Sequence, residues 1–109
     1  MRRDDSLYLE HLRESVAKIE KYTSGVDEDR FMSDDQLQDA VIRQLQIIGE
    51  AVKRLSDDTT AKYSEVAWKD IAGMRDKLVH DYFGVDLDAV WDTVVQDLPK
   101  LKQALSSGA

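Results

Sequence analysis

The chain has 109 residues, a formal net charge of −7 at pH 7 and no cysteine. This length predicts one domain, over residues 1–109, with one core. The lack of cysteine excludes a disulfide framework and a thiolate metal site. No apolar run reaches the roughly 18 residues of a membrane span, and the first segment lacks the apolar stretch of a signal peptide. We therefore expect a soluble, cytoplasmic protein, in which any nucleic-acid chemistry needs a local positive spot or a partner's help.

The first predicted helix runs from about Asp4 to Tyr22, with Asp4 and Asp5 at the positive end of its dipole. His11 and Glu14 lie on this helix, but a metal site needs three or four converging ligands, so this pair indicates a solvated face. The apolar residues recur at spacings of three and four, which places them on one face: Leu9, Leu12, Val16 and Ile19.

A short acidic loop follows, and its Phe31 is expected to enter the core. Ser33 and Gln36 then form a capping-box pattern that predicts the start of a second helix, ending near Leu55. Gly49 lies inside this helix at a cost of about 1 kcal/mol relative to alanine. Either a close helix crossing requires the glycine and explains this cost, or the glycine has no packing role and the cost is tolerated. The predicted buried stripe consists of Leu37, Val41, Leu45, Ile48, Val52 and Leu55.

The second half of the chain predicts two more helices. After a polar connection at Ser56–Thr60, the third helix begins near Ser64 and ends around Phe83–Gly84, with Gly84 as the C′ residue. Asp86 caps a fourth helix, which Pro99 should kink because proline breaks the hydrogen-bond ladder. Four amphipathic helices with modest loops predict an all-α, up-down bundle of four or five helices.

Only one segment concentrates groups that could perform chemistry. Arg75, His80 and Tyr82 lie within eight positions of the third helix. Arginine offers a planar fork of donors to a phosphodiester, and histidine can move a proton near neutral pH. In principle these two groups suffice for RNA cleavage without a metal or other cofactor. The alternative is that they are surface residues, with Asp76 and His80 an i, i+4 pair.

Ideal helix geometry separates the two candidate catalytic residues. At about 100° per residue, Arg75 and His80 point about 140° apart. Either the helix distorts near its end, or the long Arg75 side chain swings across, or a second subunit completes the site. The third option suits a two-fold dimer that apposes two copies of this helix.

The spacing Arg75, four residues, His80, one residue, Tyr82 resembles the Arg-X4-His-X-Tyr motif of HepT proteins, a branch of the HEPN superfamily. The similarity covers essentially the whole chain. It includes the whole segment Trp68–Gly84 around the motif and three further stretches, namely Tyr8–Leu12, Ile47–Ala51 and Leu98–Leu101.

This resemblance implies a HEPN-like helical bundle, usually a homodimer with the motif at the subunit interface. It implies a metal-independent RNA endonuclease that is the toxin of a toxin–antitoxin pair, with Arg75 and His80 catalytic. The antitoxin is a minimal nucleotidyltransferase, MNT, which can transfer AMP to the motif tyrosine, here Tyr82. The added phosphate charge would occupy the arginine and block RNA.

Asp76 departs from the family pattern, in which a polar residue, often asparagine, follows the arginine. Its carboxylate would repel a phosphate if it faced the cleft, or it could support the site by holding His80 and raising the pKa of the imidazole. A second function therefore stays open, namely a non-catalytic helical dimer that binds a nucleotidyltransferase and is modified by it. A nucleotide-binding module is a third, disfavoured because the chain has no phosphate-cradling loop.

Overall fold

The computed structural model describes residues 4–80 and 84–107, with residues 79, 80 and 107 described by their backbone alone. This part of the chain is helical and contains no strand, which confirms the predicted all-α class. The helices are α1 (Ser6–Thr23), α2 (Glu28–Ser33), α3 (Asp35–Lys53), α4 (Asp57–Lys62), α5 (Trp68–His80), α6 (Leu87–Asp92) and α7 (Leu98–Ser107), with a π-helical segment at Thr93–Asp97. Within these residues, no helix combines the length and the apolar character that a membrane crossing requires.

Helix α3 lies at the centre of the bundle and packs against both α1 and α5. Helix α7 contacts α1, and α6 contacts α2. The predicted stripe of α3 faces the core as expected, except that Leu37 is only half-buried. The largest fully buried side chains come from six of the helices: Phe31, Leu12, Ile19, Leu45, Ile48, Ile71, Leu101, Val41 and Val90.

The segment predicted as an acidic loop is instead the short helix α2. The Asp27 side chain caps it by accepting from the backbone N–H of Arg30 at 2.8 Å, an interaction that satisfies an otherwise unpaired donor. Phe31 enters the core as predicted, and its ring stacks on Trp91 with centroids 5.0 Å apart. The helix forms because burial of Phe31 against α6 compensates for a segment too short to be helical alone.

The predicted capping box at the start of α3 is wrong. Asp34, not Ser33, is the cap, and it accepts from the N–H of Leu37 at 3.0 Å. The Ser33 hydroxyl donates to the carbonyl of Arg30 because Ser33 still belongs to α2. Either residue can cap a helix, so the choice depends on where α2 ends.

The polar connection predicted at residues 56–60 is also partly helical. Ser56 caps α4, and the buried Asp5 carboxylate accepts from its N–H at 3.0 Å and its hydroxyl at 2.7 Å. The same carboxylate accepts from the Thr59 hydroxyl at 2.6 Å. Asp5 therefore joins the start of α1 to α4, whereas its neighbour Asp4 accepts from the N–H of Ser6 on α1.

Helix α5 begins at Trp68, four residues later than predicted, because the indole N–H donates to the carbonyl of Tyr63 and holds the preceding turn. The predicted helix end at Phe83–Gly84 lies only partly in the described chain, because residues 81–83 are outside it and Gly84, which is described, is not helical. Asp86 caps α6 as predicted, accepting from Ala89 at 3.2 Å.

The interruption expected at Pro99 takes the form of the π-helical segment. There the N–H of Leu98 donates to the carbonyl of Thr93, five residues back instead of four. Proline has no N–H to continue the α-helical ladder, and a π-helical turn is a known way to rearrange it. Helices α6 and α7 thereby form the fourth long helical unit of the bundle.

Candidate functional site

The site is built where α3 crosses α5. A Cβ placed on Gly49 would lie 2.1 Å from the Cβ of Arg75 and 3.3 Å from its Cα. These distances are too short for any side chain, so α3 and α5 can approach this closely only because residue 49 is glycine. The crossing therefore explains Gly49, and it anchors the base of the Arg75 side chain against α3.

The guanidinium of Arg75 is held between two carboxylates. Its Nη2 lies 3.4 Å from Oε2 of Glu50 on α3, and its Nη1 lies 3.3 Å from Oδ1 of Asp76. Glu50 also accepts from Arg54 at 3.3 Å through its other oxygen, and Asp76 forms an ion pair with Lys53. Five charged side chains, from α5 and from α3 with its C-cap residue Arg54, thus form one network with Arg75 at its centre.

The pKa of Asp76 is lowered, first by its hydrogen bond from Lys53 and then by that from Arg75. A carboxyl with a lowered pKa stays ionised at neutral pH. Its pairing stabilises the fold above the ordinary value of 3.8, and this contribution is lost as the pH falls through the lowered value. Asp76 therefore faces Lys53 and Arg75 as an anion.

Beside this network lies a groove of about 570 Å³ between α1, α3 and α5, which we call the arginine groove. Three of its lining side chains are arginines and one is a glutamate. The described residues that line it are Tyr8, His11, Arg43, Gln46, Ile47, Glu50, Ala51, Arg54 and Arg75. In a chain of net charge −7, these arginines form a local positive patch of the kind that nucleic-acid chemistry needs.

Helix α3 supplies the floor of the arginine groove. The lining residues on α3 and at its C-cap recur at spacings of three and four from Arg43 to Arg54, so they share one face. These two arginines are eleven residues apart, about 16 Å along the axis. Arg43 is exposed, and no hydrogen bond or ion pair to it occurs among the described residues.

Sequence reasoning missed the arginine groove, although its signal was present. His11 was expected on a solvated face; it is indeed exposed, yet it lines the groove together with Arg75. The groove-lining residues from Arg43 to Arg54 recur with the same helical period as the buried stripe of α3. This pattern indicates a functional face beside the buried one. In the described ranges, no group of three or more acidic, histidine or cysteine side chains is arranged to hold a metal ion.

Two of the predicted site residues cannot be placed completely. His80 is the last residue of α5, where its backbone alone is described, and Tyr82 lies outside the described residues. Arg75 and Asp76 are brought together, 3.3 Å apart. The assignment of Arg75 and His80 to catalysis, of Tyr82 to modification or RNA contact, and of Asp76 to support remains a prediction.

Comparison with known proteins identifies similar sequences over most of the chain. Residues 12–107 match the family described as "Ribonuclease HepT-like". A protein of Thermococcus cleftensis named "Probable ribonuclease HepT" is 44% identical over 102 residues, which are 94% of this chain and 93% of that protein. No solved structure matched the chain.

One relative is much longer than this chain. The Methanocaldococcus jannaschii protein named "Gamma-glutamylcyclotransferase and putative RNase" is 49% identical over 105 residues. The match covers 96% of this chain but only 47% of that protein. The chain thus spans about half the length of that relative.

Proposed function

The chain belongs to the HepT-like ribonuclease family, and from this premise we propose that it is a ribonuclease, more specifically a metal-independent RNA endonuclease. The observation that carries the proposal is the position of Arg75, which lines a groove with two further arginines and a histidine. Clustered guanidinium groups suit the recognition of phosphodiesters.

The proposed reaction is an attack of the ribose 2′-oxygen on the adjacent phosphorus. The new P–O2′ bond forms as the P–O5′ bond breaks, which leaves a 2′,3′-cyclic phosphate and a 5′-hydroxyl. One proton leaves the 2′-hydroxyl and one is gained by the 5′-oxygen, and His80 carries one or both transfers. Arg75 stabilises the charge that grows on the phosphoryl oxygens.

The biological role we propose is that of a toxin controlled by a partner protein. The partner is a nucleotidyltransferase antitoxin of the MNT type, which neutralises the toxin by transferring AMP from ATP to the Tyr82 hydroxyl, with loss of the hydroxyl proton and release of pyrophosphate. The transferred phosphate would add negative charge two residues from His80 and compete with RNA for Arg75. The active unit in this proposal is a homodimer in which Arg75 of one subunit acts with His80 of the other, because an ideal helix directs the two residues about 140° apart.

Induced expression of three forms, without any partner, tests this function. The forms are the wild type, Arg75→Ala and His80→Ala, with growth followed and total RNA examined. We expect growth arrest and RNA cleavage with the wild type alone, and equal helical content by circular dichroism in all three. Cleavage by the purified protein should persist in EDTA and yield 2′,3′-cyclic phosphate ends.

The contrary result is also informative. Intact RNA and normal growth with a folded, unmodified wild type would contradict the nuclease. Such an outcome would favour the non-catalytic dimer that binds a nucleotidyltransferase and is modified by it, a function with which the acidic net charge is compatible.

A further inference from the structure

We propose that the arginine groove binds the backbone of single-stranded RNA next to the cleavage centre, with Arg43 as a phosphate-binding residue outside the motif. This inference rests on the proposed function, because it names how the same substrate is held. It assigns a role to Arg43, Arg54, Tyr8 and His11, four residues that the motif does not include.

Charge is the first argument. The described lining holds three arginines and one glutamate, a formal charge of +2, on a chain whose total is −7. Repulsion from the rest of the surface keeps a polyanion away elsewhere, so the attraction is concentrated in this groove. An RNA that reaches Arg75 must therefore run through the arginine groove.

The second argument is which arginines of the groove are already paired with a carboxylate. Arg54 and Arg75 share the two oxygens of Glu50, at 3.3 and 3.4 Å, so one carboxylate pairs with both. Arg43 has no partner among the described residues and is exposed. No described group pairs with its five N–H donors, and a phosphate can use two such donors at once.

Size and shape favour a single strand. A groove of about 570 Å³ falls in the range of about 300–1,000 Å³ that encloses a small molecule, which fits a nucleotide and its flanking phosphates. The half-buried Tyr8 ring in the wall can stack on an unpaired base. His11, one helical turn further along α1, can donate to a phosphate or a 2′-hydroxyl.

The test measures binding separately from cleavage. A fluorescently labelled 2′-O-methyl RNA of about ten nucleotides cannot be cut, because its 2′-oxygens are blocked. We expect Arg43→Ala to raise its Kd by about tenfold and to reduce the salt slope by about 0.7, the value for one phosphate contact on a single strand. Arg43→Lys keeps the charge and should recover most of the slope.

The matched control is Arg30→Ala, the same change at an exposed arginine of α2 that pairs with Asp34 and does not line the groove. It should leave Kd and salt slope unchanged. An equal loss in both variants, or no loss with Arg43→Ala, overturns the proposal. So does a change of oligomeric state by light scattering with unchanged RNA affinity, which would make the groove an interface between copies.

Failure of the groove and failure of the nuclease give different results. RNA cleavage by wild type with an unchanged KM in Arg43→Ala rejects the groove alone. Binding of the blocked RNA that depends on Arg43, without any cleavage of ordinary RNA, supports the groove and rejects the nuclease.

Discussion

The guanidinium of Arg75 is already paired with two carboxylates in the absence of substrate. Glu50 and Asp76 lie 3.4 and 3.3 Å from its guanidinium. A phosphate that binds Arg75 must compete with both, and Lys53 weakens one competitor by pairing with Asp76. Asp76, which follows the motif arginine, therefore weakens phosphate binding by Arg75 through a direct contact.

Asp76→Asn should consequently strengthen RNA binding. The change removes one anion beside Arg75 and leaves the charge of Lys53 unpaired. We expect KM for an RNA oligonucleotide to fall by about two- to fivefold, the range of an exposed ion pair. Because the pKa of Asp76 is lowered, the difference should persist throughout neutral pH and shrink only in acid.

Asp88→Asn is the control for this change, since Asp88 is an exposed carboxylate on α6 that does not line the groove. An unchanged or increased KM in Asp76→Asn, with Asp88→Asn equal to wild type, would mean that Asp76 positions the site instead of weakening it.

At the scale of helices, the crossing of α3 and α5 sets the position of Arg75. The crossing needs a residue without a side chain at position 49, since a Cβ there would meet the root of Arg75. For the second helical glycine, Gly73 on α5, no described atom apart from its chain neighbours and its own helix backbone lies within 4 Å of where its Cβ would be. The two glycines therefore differ in packing although both lie inside helices.

Alanine at these two positions should change stability in opposite directions. Gly49→Ala should lower the free energy of unfolding by about 1–3 kcal/mol, because overpacking outweighs the gain in helix propensity. Gly73→Ala should raise it by up to about 1 kcal/mol. Urea unfolding at a fixed protein concentration measures both changes in the free energy of unfolding. If Gly49→Ala raised it, as Gly73→Ala should, position 49 would tolerate a methyl group.

At the scale of the molecule, the question is whether one subunit contains a complete site. Arg75 is directed at α3, and an ideal helix turns His80 about 140° away from it. We therefore expect Arg75 of one subunit to act with His80 of the other across a two-fold interface.

A mixed dimer distinguishes the two arrangements. Differently tagged Arg75→Ala and His80→Ala subunits are co-expressed and the hetero-pair is purified. If sites are shared, one of the two sites is intact and the mixed dimer should have about half of the wild-type RNA cleavage rate, as two-fold symmetry requires. A mixed dimer as inactive as either parent would place each site within one subunit.

The sequence by itself determined the helical class, the long helices and the core stripe from Val41 to Leu55. Apolar residues that recur with a 3.6-residue period lie on one face of a helix, and that face is then buried in the core. It also determined the Asp86 cap, whose side chain bonds to the third residue after it. Resemblance to a known motif indicated the candidate site residues.

Only the tertiary structure decided features that depend on contacts between distant residues. It directed the Asp5 carboxylate to Ser56 and Thr59 at the start of α4 instead of to its own helix. It also made a helix of the segment around Phe31, because the ring packs on Trp91. It resolved the role of Gly49, whose neighbour Arg75 is 26 positions away. The arginine groove likewise exists only when α1, α3 and α5 meet, since no local pattern specifies which exposed faces of different helices will adjoin.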